Sequence, residues 1–85
     1  MAQKKKEAIL SSEPGDIIRN AMLHRGMVQV DLADKLGMLQ SSISGSVNRK
    51  RMSLSVFNNM LDAMDFDVAV VDRETGEVMW KVAVK

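Results

Sequence analysis

The segment from residue 29 to residue 48 constrains the fold of this chain more than any other segment. Ala33 and Gly37 lie four positions apart, and Ile43 follows six positions after the glycine. Two helices that meet at a tight turn need a small residue at their contact and a conformationally permissive residue in the turn. The spacing therefore predicts a helix over 29–36, a turn at Gly37, and a second helix that begins near Gln40.

Apolar periodicity predicts one further helix on each side of this pair. A helix is expected from about Pro14, because proline fits the first turn and Gly26 suits a helix end. Its apolar face is Ile17, Ile18, Ala21 and Met22. After a basic loop at 48–52, Ser53 is the expected N-cap of a fourth helix. The expected core stripe of that helix is Leu54, Phe57, Leu61 and Met64.

The pattern changes after residue 66. Two β-branched stretches, 67–72 and 77–84, flank a four-residue connection that ends in Gly76, which predicts a β-hairpin. Both faces of this hairpin are apolar, so one face can pack on the helices, and the other face or the open edge is expected to need a partner. The side chains predicted to mediate dimerisation are Val68, Val70, Val78, Trp80, Val82 and Val84.

These patterns predict a mainly α protein with three parts. Residues 1–12 are expected to be a flexible basic arm, 13–66 a four-helix domain, and 67–85 a hairpin. Of the charged side chains, residues 1–61 carry nine Lys or Arg and five Asp or Glu, and residues 62–85 carry three and six. The net charge is thus +4 for residues 1–61 and −3 for residues 62–85. This distribution suits a protein that binds phosphates with its basic part.

Composition excludes several classes of protein. The 85 residues include no cysteine, so a disulfide or a zinc–thiolate site is not expected, and His24 is expected on a helix surface. The sequence shows no nucleophile–base set, phosphate-binding loop or metal-ligand cluster. We therefore expect that the protein is not an enzyme and binds no cofactor. No signal peptide or long apolar run is present, so a cytoplasmic protein without membrane contact is expected.

The outward positions of the third helix carry short polar side chains. Gln40, Ser41, Ser42 and Ser44 can hydrogen-bond base edges without filling a DNA major groove. An amide such as that of Gln40 pairs well with adenine. The alternative interpretation is an ordinary polar helix face.

The stretch from about residue 16 to residue 64, and the run Leu32–Asn48 above all, resembles the Xre/Cro–cI family of DNA-binding regulators. The resemblance implies a lambda-repressor-like four-helix fold in which the second and third helices form a helix-turn-helix. It implies that Gln40 and Ser41 contact bases, with Ser42, Ser44 and Gly45 facing the groove. It also implies that Gln29 and Asn48 bind DNA phosphates.

Two basic clusters are further phosphate-binding candidates. Arg49, Lys50 and Arg51 directly follow the third helix, where a solvated charge run is the alternative interpretation. Lys4, Lys5 and Lys6 resemble the lysine arm that reaches around the duplex in the family. The chain differs from the family pattern at Val28 and Leu39, which replace the usual capping residues. It also differs in ending with a hairpin in place of a fifth helix.

The expected function is sequence-specific DNA binding, by a transcriptional repressor that acts as a homodimer on a pseudo-palindromic operator. One alternative is the antitoxin of a toxin–antitoxin pair, in which the hairpin or the arm would hold a toxin protein. A second alternative is a protein-interaction module that keeps the fold without binding DNA. A binding titration at two salt concentrations discriminates the last from the others.

Overall fold

The computed structural model describes residues 13–83, which form four helices and then a two-stranded antiparallel sheet. The helices are α1 (Pro14–Arg25), α2 (Gln29–Leu36), α3 (Gln40–Val47) and α4 (Leu54–Ala63). The strands are β1 (Ala69–Val71) and β2 (Val78–Lys81). The predicted mainly helical class with a C-terminal hairpin is therefore confirmed.

All four helices contribute to one small core. Its most fully buried large side chains are Ile18, Leu32, Ile43, Val47, Met60 and Met64. Ile18, Leu32 and Ile43 were each expected on an inner helix face, and the helical period that predicted them is confirmed. Residues before and after α4, Met52 and Phe66, pack partly against the same cluster. Core residues thus come from segments before and after α3 in the sequence, and their packing fixes the position of α3.

The first turn of α1 lies directly against the end of α3. A Cβ atom added to Gly15 would stand 1.9 Å from the Val47 carbonyl oxygen. Real Cβ atoms do not approach backbone oxygen so closely, so only glycine permits this contact. The tight approach of α1 to α3 holds the C-terminal end of α3 in place.

Glycines end the first two helices as predicted. Gly26 and Gly37 have φ of +68° and +66°, which side chains with a Cβ seldom adopt. Neither Val28 nor Leu39 provides a side-chain cap to the helix that follows it. At the start of α2, the Asp31 carboxylate accepts a hydrogen bond from the Val28 N–H at 3.0 Å, which satisfies one backbone donor there.

The predicted core stripe of α4 is wrong at its first position. Leu54 is 57% exposed, whereas Phe57 is half-buried and Leu61 and Met64 are buried. The helix turns Asn58 inward instead, and its side chain is only 3% exposed. Local sequence patterns do not predict a buried polar residue here, because the carbonyl that accepts its hydrogen bond lies 24 residues further along the chain.

The hairpin is shorter than predicted, and it stands away from the helices. Ala69 pairs with Lys81 and Val70 with Trp80, and a register shift follows at Val71. Gly76 has a φ of +77°, and its N–H donates to the Asp72 carbonyl at 2.7 Å, so the predicted left-handed glycine at the end of the connection is confirmed.

For most of its length, neither face of the hairpin packs on the helices of residues 13–83. All four residues of β2 are exposed, and Trp80 retains 66% of its accessible surface. Among the described residues, the base of the hairpin makes the contacts with the helices. There the Asn58 amide donates to the Val82 and Ala83 carbonyls, at 3.4 Å each, and Val68 packs against the core.

Candidate nucleic-acid interface

The helix α3 is fixed by its inner face and exposes a polar outer face. Ile43 is fully buried and Val47 is 2% exposed, so the helix cannot rotate without opening the core. On the solvent side the exposed positions are Gln40, Ser41, Ser42 and Gly45. Four of the five predicted base-contacting residues are therefore accessible together on one short helix.

Gly45 makes this outer face unusually shallow. A Cβ added at Gly45 would have no atom within 4 Å, so nothing in the fold of residues 13–83 requires glycine there. Glycine also costs about 1 kcal/mol against alanine inside a helix. A bare stretch of backbone at this point lets a rigid surface, such as a DNA groove, approach α3 closely.

Ser44 differs from the other predicted base-contacting residues. It is half-buried, and its hydroxyl accepts a hydrogen bond of 3.5 Å from the Asn48 amide. The Asn48 side-chain oxygen in turn accepts a hydrogen bond from the Arg19 guanidinium. Ser44, Asn48 and Arg19 thus form a series of side-chain hydrogen bonds that connects the end of α3 to α1.

Arg19 is the site residue that sequence reasoning missed. Its guanidinium donates to the Asp16 carboxylate at 2.9 Å and also to Asn48, and its side chain keeps 44% of its surface exposed. Arg19 and Asn48 are 29 positions apart, and no local pattern relates them. The Arg19–Asp16 ion pair therefore lies beside Asn48, at the edge of α3.

Positive charge continues into the connection between α3 and α4. Arg49, Lys50 and Arg51 are exposed, and none of them forms an ion pair within residues 13–83. Gln29 lies at the start of α2 and is half-buried. Lys4, Lys5 and Lys6 fall outside the described residues.

The predicted dimerisation residues divide into two groups. Val70, Val78 and Trp80 are exposed on the projecting part of the hairpin. Val68 and Val82 lie at its base and are half-buried within the same chain. Val84 falls outside the described residues.

Within the described part of the chain, no cluster of three or more histidine or acidic side chains could hold a metal ion. None of the helices in residues 13–83 is long and apolar enough to cross a membrane. Comparisons with known protein families, with characterised proteins and with solved structures find no match for this chain. The geometry above is therefore the basis of the functional argument.

Proposed function

We propose that α2, α3 and the turn at Gly37 form a helix-turn-helix of the lambda-repressor-like type, and that the chain is a sequence-specific DNA-binding regulator. In this proposal α3 enters the major groove with its exposed polar face toward the bases. Gln40 and Ser41 contact base edges, and Gly45 lets the helix backbone approach the groove floor.

One observation carries this proposal. A short helix with a buried apolar face presents glutamine, serines and a bare glycine to solvent. It is followed at once by Arg49, Lys50 and Arg51, which form no ion pair with any residue of 13–83. The polar face supplies hydrogen-bonding groups of a size that fits a groove. The three cations supply phosphate attraction, which does not depend on sequence and positions the helix.

The regulatory role is what the resemblance to the Xre/Cro–cI family implies. A homodimer would place two copies of α3 in successive major grooves, about 34 Å apart, on a pseudo-palindromic operator. A protein that occupies a promoter in this way represses it by excluding polymerase. We therefore propose a transcriptional repressor that acts as a homodimer.

The first experiment identifies the DNA. The full chain is incubated with a pool of random-sequence duplexes, and bound duplexes are amplified over several rounds and sequenced. A DNA-binding regulator should enrich a short two-fold-related motif. A pool that stays random after several rounds would contradict sequence-specific binding.

The second experiment tests the proposed base contact. Gln40→Ala should weaken binding to the selected duplex by about 1–3 kcal/mol and leave affinity for scrambled duplex unchanged, because a base contact discriminates between sequences. Asn59→Ala is the control, since it removes an exposed amide from α4 instead of α3. An equal loss on both duplexes would exclude base recognition by Gln40.

A further inference from the structure

An apolar groove, here called the α1 groove, runs along α1 beside the segment that follows α4. Its apolar lining consists of Ile17, Ala21, Leu61 and Phe66. The Arg25 guanidinium lies 4.1 Å from the centre of the Phe66 ring, and the centre of the His24 ring lies 5.9 Å from it. These contacts hold the aromatic wall in place, so the groove, with a volume of about 380 Å³, is formed by the fold itself.

The size of the α1 groove favours a short segment over a separate protein as its occupant. A specific protein–protein interface involves about 20–30 residues on each side. Within residues 13–83, seven residues line this groove. A segment of the same chain needs less surface, because its tether keeps it at a high effective concentration and little translational freedom is lost on binding.

The polar part of the lining favours an uncharged occupant. Asp67 contributes an acidic side chain, but its carboxylate is already ion-paired with the Lys81 ammonium at 3.1 Å. Asn20 and His24 also line the groove and are exposed to solvent. Binding in the groove is therefore governed by the burial of apolar side chains, which requires no ionic partner.

The chain enters α1 on the groove side of this helix. Glu13 is the N-cap of α1, and Ile17 and Asn20 follow it at intervals of four and three residues. Residues at these intervals share one helix face. Gly15 and Arg19 lie roughly half a turn away and face the end of α3. The residues before the N-cap therefore begin beside the groove and away from α3.

The residues before α1 include one short apolar segment that fits this groove. Between positions 3 and 13, the apolar residues are Ala8, Ile9 and Leu10. An apolar residue just before an N-cap often packs against the fourth helical residue, which in α1 is Ile17. Positions 11 and 12 are serines, so Leu10 is the nearest residue that provides such a contact.

The distance from the N-cap to the groove is within reach of Leu10. The Glu13 backbone is extended, with φ −113° and ψ 120°. Three extended residues span about 10 Å, which matches the usual 8–10 Å between packed elements. Along α1 the groove extends from Ile17 to His24, about 10 Å of helix, so the residues before Leu10 have room to continue beside it.

We infer that residues 8–10 fold back along α1 and bind in the α1 groove, with the Leu10 side chain between Ile17 and Phe66. This contact anchors the segment before α1 to the folded domain. It thereby fixes the point from which the basic cluster Lys4–Lys6 extends. The inference does not rest on the proposed function, because no residue of α3 takes part.

The first test detects the contact directly in the unaltered full chain. Nuclear Overhauser effects are measured between the methyl groups of Leu10 and the ring of Phe66, which is one of two phenylalanines in the sequence. We expect cross-peaks between these two residues and between Leu10 and Ile17. Assigned Leu10 methyl signals without a cross-peak to either residue would overturn the inference.

A mixture of isotope-labelled and unlabelled chains identifies which molecule supplies the occupant. Cross-peaks that arise within one chain, and are absent between labelled and unlabelled chains, support the inferred fold-back. Cross-peaks between the two kinds of chain would show that the groove binds residues 8–10 of a second copy, and would overturn it.

The second test measures how firmly the segment is held. Trypsin cleaves after Lys6 only when the residues that follow leave the groove and extend into the protease. Leu10→Gln should raise the rate of this cleavage about threefold or more, because it removes apolar burial and increases the population of the open form.

Leu23→Gln is the matched control for the second test, because it removes a leucine that is 79% exposed on α1 and is not part of the groove lining. Its cleavage rate should equal that of the unaltered chain, and circular dichroism verifies that both variants keep their helices. Equal rates for Leu10→Gln and the unaltered chain would overturn the inference.

These outcomes separate this inference from the proposed function. A chain in which Leu10 contacts Phe66 but which enriches no DNA motif supports the inference and contradicts DNA recognition. A chain that enriches a motif while Leu10 contacts neither groove residue does the reverse.

Discussion

Two glycines within helices show how differently one residue type can act at the residue scale. A Cβ at Gly15 would collide with the Val47 carbonyl, whereas a Cβ at Gly45 would meet nothing within 4 Å. Gly15 is therefore required by the fold, because it lets α1 and α3 touch. Gly45 is not required by the fold, which leaves contact with an external surface as the reason that we propose for it.

Gly45→Ala should make the protein more stable and a weaker DNA binder. Alanine improves helix propensity by about 1 kcal/mol at an open position. The added methyl group would stand between α3 and a closely approaching groove. Urea unfolding measures the first effect, and titration with the selected duplex measures the second. Unchanged DNA affinity in a stabilised variant would show that no surface approaches α3 at this point.

Gly15→Ala should have the opposite effect on stability. The methyl group forces α1 away from the end of α3, and overpacking of this kind typically costs about 1–3 kcal/mol. Urea unfolding should show a lower midpoint with little change in slope. A midpoint equal to or above that of the unaltered chain would mean that the two helices separate without cost.

At the scale of elements, polar side chains connect segments that are distant in sequence. Arg25 at the end of α1 donates to the Met64 carbonyl at 2.9 Å, and its guanidinium lies 4.1 Å from the Phe66 ring centre. The side chain thereby satisfies a carbonyl at the end of α4, where helices leave backbone acceptors without intrahelical partners. Asn58 has the corresponding role between α4 and the hairpin.

Asn58→Ala should loosen the hairpin while the helices remain folded. The substitution removes the amide that donates to the carbonyls of Val82 and Ala83, and a typical hydrogen bond contributes about 0.5–1.5 kcal/mol to stability. Limited proteolysis should then cleave the hairpin faster, and circular dichroism should show the helical signal retained. Hairpin cleavage at an unchanged rate would show that Val68 alone secures the base.

At the scale of the whole molecule, charge is separated from apolar surface. The three exposed cations Arg49, Lys50 and Arg51 follow α3, while the apolar edge of β2 projects after α4. The exposed cations and the exposed apolar strand therefore lie on different segments of the chain.

The logarithm of the DNA-binding constant should fall linearly with the logarithm of the salt concentration. Each phosphate contact contributes about 0.9 to that slope, so Arg49→Ala should reduce its magnitude by about one on selected and scrambled duplexes alike. Lys35→Ala is a suitable control, because it removes an exposed cation from the end of α2. An unchanged slope for Arg49→Ala would mean that this cation stays solvated.

The sequence by itself determined the number and type of the elements. Helical spacing of apolar residues predicted Ile18, Leu32, Ile43 and Val47 as core, and left-handed glycines marked the ends of α1 and α2. These features depend on contacts within a few residues or on the backbone freedom of one residue, which local patterns express. The exposed polar positions of α3 followed from the same period.

Only the tertiary structure decided how the elements meet. The Gly15–Val47 contact, the Arg19–Asn48 hydrogen bond and the buried Asn58 each join residues more than 20 positions apart. The apolar alternation of the hairpin could not reveal whether its own helices would cover it, because that depends on the direction in which the chain leaves α4. Local periodicity fixes which face of an element is apolar, whereas the packing of all elements together fixes which of those faces remain open.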